Sequence, residues 1–273
     1  LPTFIVLLLG GLIIAAVLGQ GPWRRFRRKK IQARPFPQSW RVIIKKRLPY
    51  FRALPADLQL QLKKHVQVFI AEKKFIGCEG VAITDEMRVT IAAQACLLLL
   101  NRPDYYYPKL KQILVYPAAF IVRGAAPDAA GVIKEQKRIL SGESWGQGKV
   151  VLSWQDAMQG AAEPHDGHNV VIHEFAHQLD QEKGLATGAP LLNRSSDYQQ
   201  WSTVMQHAFD QLQHETASGI RGLLDGYGAT NPAEFFAVIS EVFFEQPEQL
   251  HLQYPALYQQ LSQFYRLNPL SWQ

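Results

Sequence analysis

His173 and His177 lie four residues apart with Glu174 directly after the first, and this spacing defines one helix of the chain before anything else about its fold is known. Residues four apart on a helix stand on one face, one turn above the other. The segment suits a helix. Residues 168–183 contain neither Pro nor Gly, Gly167 with His168-Asn169 supplies a start, and Gly184 supplies a stop. Two imidazoles presented from neighbouring turns can share one Zn²⁺. Glu174 lies at the edge of the same face. Its carboxylate can reach a metal-activated water without ligating the ion, as a general base in hydrolysis must. The plainer alternative is a buried amphipathic helix whose histidines are ordinary hydrogen-bonded groups. A third ligand from elsewhere in the chain separates the two.

At 273 residues and 47% hydrophobic content, the chain is long enough for one large domain with an appendage. The appendage is residues 1–19, which carry no charge and are dominated by Leu, Ile, Val and Ala. That length just crosses a bilayer as a helix. Arg24, Arg25, Arg27, Arg28, Lys29 and Lys30 follow it, which places the rest of the chain on the cytoplasmic side. Residues 24–47 hold eleven Lys or Arg and no Asp or Glu, so they account for the net charge of +6 and leave the remainder slightly acidic. Beside an apolar anchor such a run contacts anionic membrane lipid. No helix-turn-helix, zinc-finger or RNA-binding aromatic signature accompanies it, so no direct nucleic-acid binding is expected. Cys78 and Cys96 are too few for a disulfide framework, and neither is near the histidines in sequence.

The predicted organisation is an anchor at 1–19, a basic, Pro- and aromatic-rich linker at 20–54 that orders as it docks, and a domain at 55–273. In the domain, helices are predicted from Pro55-Ala56-Asp57 to about Lys73, and from an N-cap at Thr84 through Leu100. Further helices are predicted over 197–214, from an Asn231 cap to Glu245, and from about Pro255. Lys74–Gly77, residues 112–122 and Lys149–Trp154 read as extended, with Pro117 marking an edge strand or a break. Two or three short strands among at least five helices give a mainly helical α+β domain with a small β-sheet.

Glu234 is the better third ligand. It opens a strongly apolar helix, and a carboxylate drawn inward there needs a partner such as Zn²⁺. Glu241, two turns later on the same face, is the rival, or else it hydrogen-bonds a ligating histidine. His165 lies in a Pro/Gly loop, His168 is off the face of His173, and His207 and His214 lie on a polar helix.

Residues 148–154 (Gly-Lys-Val-Val-Leu-Ser-Trp), 168–180 around the two histidines, and 227–236 (Tyr-Gly-Ala-Thr-Asn-Pro-Ala-Glu-Phe-Phe) resemble the Mlc titration factor A family of bacterial zinc metallopeptidases. The resemblance runs from about residue 35 to the C-terminus. The last segment also resembles the protease domain of anthrax lethal factor, where a Tyr precedes a ligating Glu by seven residues. The resemblance implies a zincin-like metallopeptidase domain. In it His173, His177 and Glu234 are zinc ligands, Glu174 is the general base, and Tyr227 is the hydroxyl that steadies the oxyanion. It implies a peptide or protein substrate and a transcriptional regulator as partner. The anchor departs from the soluble pattern of that family, and by its apolar run and basic flank makes the chain a single-pass protein of the bacterial inner membrane. Endo- and exopeptidase action, aminopeptidase included, both remain open, as does a zincin-shaped binding protein with little turnover. The chemistry supports Tyr227, because a positioned hydroxyl donor is worth a few kcal/mol to a developing oxyanion. The strand ending at Trp154 could pair with an extended substrate if it lies at a sheet edge.

Overall fold

The computed structural model describes residues 21–102, 105–127, 133–140, 142–145, 148–192 and 194–272. The anchor expected at 1–19 lies outside them. Among the described residues no helix is long and apolar enough to cross a membrane.

Helices dominate. They are α1 over residues 21–32, α2 Gln38–Arg47, α3 Ala56–Glu72, α4 Asp85–Leu97, α5 Trp154–Ala162, α6 Val170–Asp180, α7 Asp197–Ala217, α8 Pro232–Glu245, α9 Pro247–Gln253 and α10 Pro255–Tyr265. The strands are β1 Lys74–Gly77, β2 Gln112–Tyr116, β3 Phe120–Pro127, β4 Ile133–Leu140, β5 Gly142–Trp145 and β6 Lys149–Ser153. One sheet has the order β1-β2-β6-β5; its first three strands are parallel and β5 is antiparallel to β6. β3 and β4 form a separate antiparallel ribbon.

The mainly helical α+β class holds, with more strands than the sequence suggested. The extended stretch 112–122 is two strands. β2 stops at Tyr116 because Pro117 has no N–H to donate to a ladder. β2 lies between β1 and β6, so Pro117 marks a break and not an edge. β4 and β5 escaped notice because Ile133–Leu140 has four charges in eight residues and Gly142–Trp145 is short, so neither has an apolar alternation to read. α9 was also not anticipated.

The core explains the helices. α4 buries Val89 through Leu97 without a break, since a helix at the centre of a domain has no polar side to keep. Thr84 caps it, its Oγ1 accepting the Met87 N–H at 3.2 Å. α6 packs against α4, α5 and α8. Phe175 of α6 meets Phe69 and Tyr107, with ring centroids 5.7 and 4.9 Å apart. Residues 20–54 are more than a linker. They contain α1 and α2, and Ile31, Ile44, Leu48, Phe51 and Leu54 enter the core. Arg28 of α1 makes a two-pronged bond to Glu72 of α3, Nε to Oε1 and a terminal nitrogen to Oε2, both 2.8 Å.

Candidate active site

Two asparagines set the two helices that carry the site. Asn169 caps α6, its Oδ1 accepting from the Val171 and Ile172 N–H groups at 3.1 and 3.0 Å. Asn231 caps α8 in the same way, accepting from Ala233 and Glu234 at 2.9 and 3.0 Å, with Pro232 at the first helical position. Glu234 therefore sits in the first turn of α8, where a carboxylate suits the helix dipole. The buried run Phe235–Phe244 holds that helix against the core.

α6 brings its imidazoles to Glu234. Glu234 Oε2 lies 3.0 Å from His173 Nε2 and 3.2 Å from His177 Nε2. One donor atom from each of the three residues falls within 4.8 Å of the others. Two imidazole nitrogens and one carboxylate oxygen are a donor set for a catalytic zinc that keeps a position open. The fit has independent support behind the donors. His173 Nδ1 is 2.7 Å from Glu241 Oε1, so His173 offers Nε2 alone to the centre. Glu241 Oε2 accepts the Asn169 N–H at 2.5 Å. Glu241 thus lies behind His173 and does not share the donor cluster with Glu234.

The charges follow from this packing. Burial alone would lower the pKa of His173, but hydrogen bonds to Glu234 and Glu241 outweigh it and hold the ring well above the ordinary imidazole value. Burial would raise Glu234, but hydrogen bonds from His173 and His177 bring it down to about 2. In the protein alone, the raised pKa of His173 opposes loss of the proton that a metal at this ring would have to displace.

A cleft of about 450 Å³ opens beside these residues, lined among others by His173, Glu174, Tyr227, Glu241 and Gly142. Glu174 is buried at its floor, 5% exposed. Tyr227 is half exposed at its rim, with its ring centroid 6.0 Å from that of His173. It belongs to the 3-10 turn Gly226–Ala229, capped by Asp225, whose Oδ1 accepts the Tyr227 N–H at 2.7 Å. Gly142 of β5 lines the cleft beside α6. A Cβ at Gly142 would fall 2.6 Å from Glu174 Oε1 and 2.8 Å from Val170 Cγ2, so only glycine lets this strand lie so close. β5 is the edge of the sheet beside the helix. The strand ending next to Trp154, β6, lies inside the sheet between β2 and β5, which corrects the expectation that it could be the pairing edge.

His165, His168, His207 and His214 are not in the donor cluster. His165 sits against the Glu245 carbonyl, its Nδ1 3.3 Å away, and His168, His207 and His214 are exposed.

Sequence reasoning missed Gly142, the bonds of Asn169 beyond its place at a helix start, and Glu245. The third had a signal, since Glu245 follows Glu234 and Glu241 at helical spacing on an otherwise apolar helix. Its carboxyl accepts from Asn169 Nδ2 at 3.0 Å and from the Gly167 N–H at 3.1 Å, locking the start of α6 onto α8. Burial raises its pKa, which the bond from Asn169 only partly opposes and the charge of Asp166 reinforces, to about 9. The folded protein therefore keeps a proton that the unfolded chain releases near pH 4.5. This group's stabilising contribution is complete below that pH and is lost as pH rises towards 9. Glu245→Gln removes the titration at the cost of one acceptor. Urea melts should show it more stable than wild type by roughly 2 kcal/mol at pH 7 and no more stable at pH 4.5. Parallel stability–pH curves for the two proteins would refute the assignment.

The family described as glucose-regulated metallo-peptidase M90 matches residues 23–266. An uncharacterized protein of Synechocystis, slr2042, is 42% identical, covering 99% of this chain and 98% of its own length. Mlc titration factor A of Yersinia pestis is 35% identical over 82% of this chain and 83% of its own, as is that of Yersinia pseudotuberculosis.

Proposed function

The chain belongs to the glucose-regulated metallo-peptidase M90 family, and from that premise we propose that it is a zinc-dependent peptidase acting on peptides or proteins. One observation carries the reading. His173, His177 and Glu234 converge within 4.8 Å while Glu174 lies on the floor of the adjoining cleft. Zinc held by those three residues would supply Lewis acidity, polarising a carbonyl and making water acidic near neutral pH. Glu174 takes the water's proton as the carbonyl is attacked and hands it to the leaving amine. Glu241 keeps the His173 ring turned towards the centre. The backbone of β5 offers an edge along which an extended substrate can pair.

Tyr227 donates its hydroxyl to the carbonyl oxygen as charge develops there. Tyr227→Phe should retain zinc and lose about a hundredfold in kcat, because the bond matters most in the transition state. A change confined to KM would assign Tyr227 to substrate binding instead. Turnover of a mixed peptide library by the zinc-loaded chain tests the main reading, and absence of any cleavage would count against it.

The name of the Yersinia relatives, Mlc titration factor A, taken with the transcriptional-regulator partner that the resemblance implies, favours a second reading, in which the chain sequesters such a regulator. A pure scaffold has no chemical need for a carboxylate at position 174, so turnover remains the first reading. A regulator bound equally by wild type and Glu174→Gln, with no cleavage by either, would reverse the order.

Residues 1–19 complete the proposal as a single-pass anchor in a bacterial inner membrane, with the peptidase domain facing the cytoplasm. The Synechocystis relative matches all but a few residues of the chain, so its similarity reaches into this segment. A chain starting at Gly21 keeps α1 and the Arg28–Glu72 bond. It should move from the membrane fraction to the soluble fraction on fractionation, and full-length chain in the soluble fraction would refute the anchor.

A further inference from the structure

α1 and α2 contain no carboxylate. The fold pairs Arg28 with Glu72 and Arg47 with Glu86, yet leaves Lys29, Lys30, Arg41, Lys45 and Lys46 exposed. In α2 the cause is its amphipathic pattern. Ile44 is buried and Trp40 and Ile43 pack on the core, so Arg41, Val42, Lys45 and Lys46 share the outer face. The fold also carries Arg41 and Lys45 up to Lys63 of α3. Burial lowers the pKa of Lys63, and the charges of Arg41 and Lys45 lower it further. Like charges gathered this way work against the compact state unless an outside anion answers them.

The same two helices expose apolar side chains among the cations. Trp23 is 63% exposed, Phe26 67% and Val42 55%. Aromatic and aliphatic groups set in a basic face suit the boundary between headgroups and acyl chains. The uncharged residues 1–19 precede α1 directly.

We propose that the outer face of α1 and α2 is a docking surface for the anionic headgroups of a membrane leaflet. This rests on the membrane placement of residues 1–19 proposed above and adds that the folded domain itself meets the lipid. Because Arg28 binds Glu72 with two prongs, α1 is fixed to α3 and docking orients the whole domain. A nucleic acid could also answer the charge, but the exposed Trp23, Phe26 and Val42 favour lipid.

The test uses full-length chain in nanodiscs of phosphatidylcholine alone or of equimolar phosphatidylcholine and phosphatidylglycerol. Amide exchange is followed over residues 38–47. Exchange should be on the order of tenfold slower in the anionic discs, and the difference should vanish at high salt. The triple variant Arg41→Gln, Lys45→Gln, Lys46→Gln should lose the difference while peptide turnover stays unchanged. Association with both discs at equal exchange overturns the docking surface and leaves the anchor standing. Association with anionic discs only, with slowed exchange, supports docking and removes the anchor. Association with neither overturns both. Stronger protection by a single-stranded oligonucleotide than by anionic lipid overturns the proposal in favour of nucleic acid.

Discussion

Glu174→Gln should keep the fold and stoichiometric zinc and lose about a thousandfold or more in peptide turnover. The amide matches the carboxylate in size and cannot accept the water's proton. Glu174 is buried at the floor of the cleft and a Cβ at Gly142 would all but touch its Oε1, so a near-isosteric replacement is the one that leaves β5 in place. Zinc analysis and circular dichroism verify that only the chemistry changed. Turnover at the wild-type rate in this variant would end the proposed mechanism. Loss of zinc along with activity would show instead that Glu174 holds the metal site together.

The metal centre carries the second large effect. His173→Ala and Glu234→Ala should each reduce zinc from one per chain to near zero after dialysis, since two remaining donors are too few for a stable site. Glu241→Ala should behave differently. It removes the carboxylate that orients His173 and leaves all three donors, so zinc affinity should fall only 10- to 100-fold and stoichiometry recover with excess metal. If Glu234→Ala kept its zinc and Glu241→Ala lost it, the two glutamates would exchange roles.

The local parts of this protein were legible in its sequence because their causes are local. The spacing of His173 and His177 places both rings on one face of any helix, and Asn169, Asn231 and Thr84 cap their helices through bonds to N–H groups two or three residues on. The core helix α4 was readable for the same reason, as a helix apolar on most sides has no solvent-facing alternative. Tertiary structure alone separated Glu234 from Glu241. Both lie on one face of α8, and only the placement of α6 sets Glu234 before the two Nε2 atoms and Glu241 behind His173. It alone made β5 the edge strand, because sheet order depends on pairings that no single strand encodes. Gly142 has the same origin. A lone glycine in a sequence signals a turn as readily as a close approach, and only the packing of β5 on Glu174 shows which. Glu245 stayed hidden because its partners, Gly167 and Asn169, are far away along the chain, and burial acquires its electrostatic meaning only when the fold brings them together.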